Sequence, residues 1–522
     1  MDNSFDVIIA GAGPVGLFLA CELALAGVSA LVLERETSPE SPDPWKNGQL
    51  GRRGLQPPSV EAFYRRGMLK KLVGDSEDRP NKPEKTPGKF QFVGHFAGLM
   101  LDANKVDFSR WKYHLPGPAF LPAPSTSGHV EAVLFERAQI LGVPVLRGTG
   151  ISHFSDEGET VKVQAGDQEF TAKWLVGCDG GRSFVRKAAG IEFAGTDAEF
   201  TGYIAMCELD KPELLKPGFQ HTKNGMYIKA GPNNYYAIDF DMGWDRSQEV
   251  TREHFQDVLR RVSDTDVEVT KLQLATSFVA RSRQATQYRK GRILLAGDSA
   301  HIHSPLGAQG LNAGIGDAMN LGWKLAATVK GVAAPGLLDT YHQERHPVGA
   351  AVLEWCRAQV ATIRPDPFGH AVQKIMRDMI STEEGTMYFV DKVWGLSQRY
   401  NLGDEHPLVG CSAPDFEFVD GQRLGSKLER GRWLLVDFEG NPEVAELVKS
   451  LGPMVDYSGS RARETFGLKV LVLRPDGIVA WASTDEVGLG ALRTALSRWL
   501  NLDELRDGHE SKINGVVNGQ DH

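Results

Sequence analysis

The first apolar positions come in short unbroken runs, residues 7–10 and 29–33, with a longer apolar stretch over 16–26 between them. Continuous runs of that length read as strands covered on both faces, and the stretch between them is long enough for a helix, so the pattern predicts a tight βαβ unit on a parallel sheet. The pattern then breaks. Residues 39–58 are rich in proline, glycine and charge and read as a long functional loop, not another strand, while 75–89 read as an exposed connection. From about 195 to 281 the texture turns alternating and aromatic, in segments 203–209, 226–229, 235–241 and 272–280, with Gly231-Pro232-Asn233-Asn234 placed as a turn. That period of two predicts an antiparallel sheet inserted into the first unit. Long helices return over 307–360. After a loop at 401–415, apolar runs at 433–438 and 470–473 and helical patterns at 442–451 and 489–500 predict a small α/β module. Residues 503–522 are polar and are expected to be disordered.

A chain of 522 residues exceeds what one hydrophobic core usually serves, so several domains are expected. The net charge of -9 argues against nucleic acid, which demands a basic face to displace phosphate counterions. Cys21, Cys178, Cys207, Cys356 and Cys411 are odd in number and show no metal-ligand or C-x-x-C spacing, so they read as reduced thiols. No basic segment followed by an apolar stretch opens the chain, and no run of about 18 apolar residues occurs, so a cytoplasmic address is expected and membrane spanning is not.

Gly11-Ala12-Gly13-Pro14-Val15-Gly16 sits between the first strand and helix, and Glu34, followed by Arg35, ends the second strand. Gly11 allows the turn, Gly13 lets a pyrophosphate approach, Gly16 lets helix pack on strand, and Glu34 is placed to accept hydrogen bonds from a ribose. This motif fits NAD and FAD alike. Two further segments decide between them: residues 178–186, beginning Cys178-Asp179-Gly180, and residues 291–312, which pass through Gly297-Asp298, Pro305 and Gly307 to Gly310-Leu311-Asn312 at the start of a helix. The positive end of that helix suits the negative charge of a reduced isoalloxazine.

These three motifs, with Tyr341-His342-Gln343-Glu344-Arg345-His346-Pro347 after them, resemble the group A flavoprotein monooxygenases of the para-hydroxybenzoate hydroxylase fold, and the C-terminal unit resembles the thioredoxin-like appendage of phenol and polyketide hydroxylases. The resemblance implies an α/β fold: a Rossmann-like FAD-binding domain (1–75, 105–190, 281–400), an inserted antiparallel-sheet substrate domain (76–104, 191–280), a thioredoxin-like domain (401–502) and the tail. It implies FAD held by Gly11, Gly13, Pro14, Val15, Gly16, Glu34, Arg35, Arg52 or Arg53, Asp179, Gly180, Asp298, Pro305, Gly307, Gly310, Leu311 and Asn312. NADPH or NADH would reduce the flavin, O2 would add at C4a, and the hydroperoxide would hydroxylate an aromatic or polyketide-type substrate. Baeyer-Villiger and epoxidising variants share that intermediate. A flavin halogenase is a rival that lacks support, since no W-x-W-x-I-P segment is present; a reductase is another.

Tyr203, Tyr227, Tyr236 and Phe240 are expected to line an apolar substrate pocket. No catalytic base stands out. His301 and His303 form an H-x-H, yet no neighbouring cysteine or acidic cluster supports metal, and none is expected. The expected partners are a small-molecule substrate and O2, with a homodimer admitted. Two departures from the family pattern stand out: Pro58 where an arginine is usual three residues before Glu61, and Ser127 where a glutamine is usual four before Glu131.

Overall fold

The computed structural model describes residues 3–38, 45–48, 50–74, 85–86, 88–245, 247–486, 488–502 and 504. The expected tail over 503–522 thus lies outside the described residues but for Glu504, as do parts of the loops at 39–58 and 75–89.

Ser4–Ala10 pairs in parallel with both Ala30–Leu33 and Gln168–Gly177, which in turn pair in parallel with Val145–Leu146 and Ile293–Leu295. Arg289–Lys290 and the Val161–Ala165 and Ile151–Asp156 hairpin extend this sheet with antiparallel strands. The apolar runs in its middle are fully buried because helices cover it. Helix Pro14–Leu25 is apolar but for Glu22, which pairs with Arg66, and is buried from Gly16 to Leu23, in contact with helices Ser127–Ile140 and Gly310–Val329.

The aromatic segment forms a five-stranded antiparallel sheet in the spatial order Gly218–Thr222, Gly225–Lys229, Asn234–Asp239, Thr201–Leu209, Val269–Val279. One face is covered by the amphipathic helix Arg252–Ser263. The other meets a hairpin of Phe92–Phe96 and Leu99–Asp102 and the helices Thr340–Ile363, Pro367–Ile380 and Glu383–Trp394. The C-terminal module is a four-stranded sheet, Val455–Gly459, Trp433–Asp437, Val470–Leu473 and Val479–Ser483, with its first pair parallel and the others antiparallel, flanked by helices Pro442–Ser450 and Leu489–Ser497.

One local expectation is corrected. Arg52–Leu55, read as loop, is a strand paired antiparallel with Ala123–Thr126, and Pro57–Tyr64 is a helix that starts on two prolines. A four-residue strand carrying two arginines and a glycine has no apolar periodicity to reveal it.

Candidate active site

The glycine turn lies at the carboxyl ends of the parallel strands, where open α/β sheets place their crevices. Gly11 has φ +104°, and a Cβ there would lie 2.5 Å from the Cys178 carbonyl oxygen; a Cβ on Gly16 would lie 2.1 Å from the Gly11 carbonyl oxygen. Gly13 differs: its φ is an ordinary -72° and a Cβ would meet nothing within 4 Å, so the main chain there faces open space. That space is a cavity of 540 Å³ lined by Gly11, Gly13, Glu34, Arg35, Asp179 and Arg182 among others. Pro14 is the first helical residue, and Val15 turns away to wedge against Gly297 and Gly314.

Two of the carboxylates lining this cavity, Glu34 and Asp179, also hold the main chain. Glu34 accepts the Ala12 N–H through Oε2 at 2.7 Å and the Glu36 N–H through Oε1 at 2.9 Å. Asp179 Oδ2 accepts the N–H groups of Phe184 and Val185 at 2.7 and 3.0 Å, whereas its Oδ1 is buried without a hydrogen-bond partner. Gly180 takes φ +76° beside it. Arg35 is largely exposed, 3.5 Å from Glu36.

The second group of predicted residues gathers where helix Gly310–Val329 begins. Asn312 accepts the Gln56 N–H at 2.8 Å and donates to the Gly54 carbonyl at 2.9 Å, so it stitches the helix start to the strand carrying Arg52 and Arg53. Those arginines are exposed, and Arg53 donates to the carbonyls of Leu50 and Arg52. In the loop before the helix Pro305 and Ala308 are exposed, Gly307 has φ +89° and Ala308 φ +52°. His303 Nε2 and Asp298 Oδ1 flank Gly310, 3.5 and 3.8 Å from the position of a Cβ there, and Leu311 packs inward on the main core.

The aromatic set splits between two faces, because neighbouring side chains of a strand point to opposite sides. Tyr203 and Tyr227 lie beneath helix Arg252–Ser263, with Tyr203 Oη 3.1 Å from His254 and Tyr227 Oη accepting the Lys216 N–H at 3.1 Å. The expectation that these two line a pocket is therefore corrected. Tyr236 and Phe240 take the other face, Tyr236 within the field of Arg52 and Arg53 and Phe240 5.7 Å from Phe200. Phe278 joins them. Its ring lies over Gly202, where a Cβ would be 2.1 Å from Phe278 Cζ.

A model of the FAD binding domain matches residues 4–356, and one described as aromatic-ring hydroxylase, C-terminal, matches 406–502. The chain belongs to the FAD-dependent aromatic-ring hydroxylases. It is 55% identical to a monooxygenase of Claviceps purpurea over 95% of this chain and 98% of that protein. It is 36% identical to the dialkyldecalin synthase of Streptomyces rugosporus over 95% and 99%. Among solved structures, the anhydrotetracycline hydroxylase OxyS of Streptomyces rimosus superposes with a TM-score of 0.81 at 33% identity, covering 95% of this chain and 99% of that one. The chain is an FAD-dependent monooxygenase, and no helix among its described residues is long and apolar enough to cross a membrane.

This hydroxylase also holds its Gly-Asp turn with residues to which the sequence assigned no role there. Asp317, wholly buried, accepts the Gly297 N–H at 3.0 Å, meets His301 Nε2 at 2.8 Å and accepts from Arg345 Nε at 2.7 Å. Although burial opposes its charge, Arg345 and His301 hold the Asp317 carboxyl below its usual range. His301 thus serves a carboxylate, and His303 lies 2.8 Å from the Ser304 carbonyl and 3.2 Å from Cys356 Sγ. About one and two turns beyond Asp317 along the helix, Asn320 and Lys324 reach Glu344, which also takes two bonds from Arg474 of the C-terminal module at 2.9 Å. Burial pushes Lys324 down to about 7 despite Glu344. Glu344 and Arg345 stand in the Tyr341–Pro347 motif, whose spacing was legible though its partners were not. Pro58 and Ser127, the two departures, are early helix residues, and Glu131 pairs with Lys46 at 2.9 Å.

Proposed function

We propose that the chain uses NADPH or NADH and O2 to hydroxylate a multi-ring aromatic or polyketide-type metabolite. FAD would run from the 540 Å³ cavity to the start of helix Gly310–Val329. The residues fit it: Gly13 opens the main chain to a pyrophosphate, the orphaned Asp179 Oδ1 awaits a donor, and N–H groups of the helix start suit an anionic ring edge. Once bound, FAD supplies hydride acceptance and oxygen activation.

The protein's own part is position and dryness. Asp317 fixes the Gly297–Asp298 turn, Asn312 fixes the helix start against the arginine strand, and the sheet face of Tyr236, Phe240 and Phe278 offers a planar substrate an apolar wall. In this reading 1–75, 105–190 and 281–400 carry the cofactor, 76–104 and 191–280 the substrate, and 401–502 the appended module. The observation that carries the reading is the juxtaposition of that aromatic face with Arg52 and Arg53 at Tyr236 and with the Pro305–Ala308 loop through buried Leu306, which shares an apolar cluster with Phe240 and Phe278.

The test is to purify the yellow protein and add NADPH or NADH with anhydrotetracycline and simpler phenols. Reductant consumption and product mass are then followed. A gain of one oxygen coupled to reductant loss supports the reading. Isomerisation without reductant would place the chain with the synthase among its relatives, and a chloride-dependent product would make it a halogenase.

A further inference from the structure

The loop that carries Pro305 and Gly307 is tied toward the substrate sheet by hydrogen bonds of a side chain that no motif marks. Gln359, on helix Thr340–Ile363, is wholly buried. Its Nε2 donates to the Leu306 carbonyl at 3.2 Å, and its Oε1 accepts the Ala97 N–H at 3.0 Å. Ala97 is the tip of the Phe92–Phe96 and Leu99–Asp102 hairpin, has φ +51° and is also wholly buried. Its carbonyl lies 2.7 Å from Nε2 of His221, in sheet strand Gly218–Thr222; a carbonyl only accepts, so the imidazole donates. A continuous path therefore runs from the sheet through His221, the Ala97 peptide groups and the Gln359 amide to Leu306.

Both residues held at the ends of the Gln359 amide belong to bent backbone. Ala97 and, two residues beyond Leu306, Ala308 take positive φ, a conformation that an alanine keeps only when its surroundings over-determine it. Gln359 also fills the space beside Gly307, where a Cβ would lie 2.9 Å from Nε2. One turn earlier on the same helix, Cys356 adds a 3.2 Å contact to His303. Two independent hydrogen bonds give the amide one orientation, and an orientation fixed at both ends transmits position.

We infer that Gln359 is a positioning residue that sets the register between the flavin-facing loop and the substrate sheet, and so the gap in which substrate meets flavin. The inference rests on reading that loop as flavin-facing. His221 completes the device, and burial lowers its proton affinity, which keeps the imidazole neutral and able to donate through one nitrogen.

Hydrogen-exchange mass spectrometry on the full chain, with and without FAD, tests this with Gln359→Met and, separately, His221→Asn. Both variants are expected to speed amide exchange over 306–310 about tenfold in the FAD-free protein, the factor that loss of one or two ordinary hydrogen bonds produces. Both should weaken FAD binding, titrated by flavin fluorescence, by a similar factor and leave strand Ser4–Ala10 fully protected. If His221→Asn leaves 306–310 unchanged, the path does not exist and the inference fails. If Gln359→Met exposes Ser4–Ala10 as well, the residue is a general fold support and the inference fails too. Should the parent chain bind no FAD, the functional reading falls, while exchange in the FAD-free protein still decides the role of Gln359.

Discussion

Replacing Gly13 by alanine should separate cofactor binding from folding, and Gly11→Ala supplies the contrast. At Gly13 the backbone is already one that alanine adopts, and the added methyl enters open space. The apo fold should then hold or gain up to about 1 kcal/mol, because alanine narrows the unfolded ensemble. The same methyl would occupy the approach to the main-chain N–H groups. Losing one or two charge-assisted hydrogen bonds of about 1.5 kcal/mol each weakens FAD by about 10- to 100-fold. Gly11→Ala meets the opposite situation: φ is +104° and the Cβ would overlap the Cys178 carbonyl at 2.5 Å. Backbone strain and overlap together should cost about 2–4 kcal/mol of apo stability. Thermal melts of the FAD-free proteins and fluorescence titration with FAD read the two effects separately. The reasoning is refuted if Gly13→Ala binds FAD like the parent, or if it destabilises the apo protein as much as Gly11→Ala does.

Gly202→Ala should push the Phe278 ring off its strand, raising KM for an aromatic substrate several-fold with FAD affinity unchanged; an unaltered KM would remove Phe278 from the pocket wall. Arg474→Met leaves Glu344 and Asp476 buried with fewer cations and should cost about 3–5 kcal/mol in denaturant unfolding. His95 accepts the Gly98 N–H through Nδ1, and burial lowers its pKa to about 4 from 6.5. The unfolded chain therefore binds the proton more readily, so this contribution is complete above pH 6.5 and is lost as pH falls toward 4. It amounts to about 3 kcal/mol at most, and His95→Asn should flatten the acid limb of the stability profile.

The glycine turn was legible because steric demands fix residue type at a set spacing: Gly11 and Gly16 admit no Cβ. The alternation of the inserted sheet was legible for a similar reason. Which face of that sheet would be covered was not, since period two says only that Tyr235 and Tyr236 point apart, and the covering helix Arg252–Ser263 arrives from farther along the chain. Asp317, Arg345 and Gln359 were invisible as a group for the same cause. Their partners lie 16 to 262 residues away along the chain, as with His301 and Asp317 or Ala97 and Gln359, and no local pattern encodes such a pairing. Asp179 shows the converse, because its motif marked a cofactor contact while one of its oxygens caps helix Phe184–Ala188.

The C-terminal module is bound to the flavin side by groups that could not stand uncovered. Trp323, Ala327 and Leu337 belong to the same apolar cluster as Trp433, Leu434 and Trp499 of the module. Beside them Glu344 takes hydrogen bonds from Asn320 and Arg474 and an ion pair from Lys324, while Arg345 donates to Tyr400 at 2.9 Å. A buried ion pair adds little net stability over an apolar contact, but removing one partner is costly. The observed docking satisfies Glu344 from both sides, so the network ties the position of the module to that of helix Gly310–Val329. Arg345 then passes that fixed arrangement to Asp317 and so to the Gly297–Asp298 turn. Ending the chain at residue 400 would leave Lys324 and Glu344 without Arg474 and open the tryptophan face to water. The truncated protein is expected to be insoluble or to bind no FAD, as sedimentation and flavin content would show. A soluble yellow fragment would refute the idea that the module helps hold the turn.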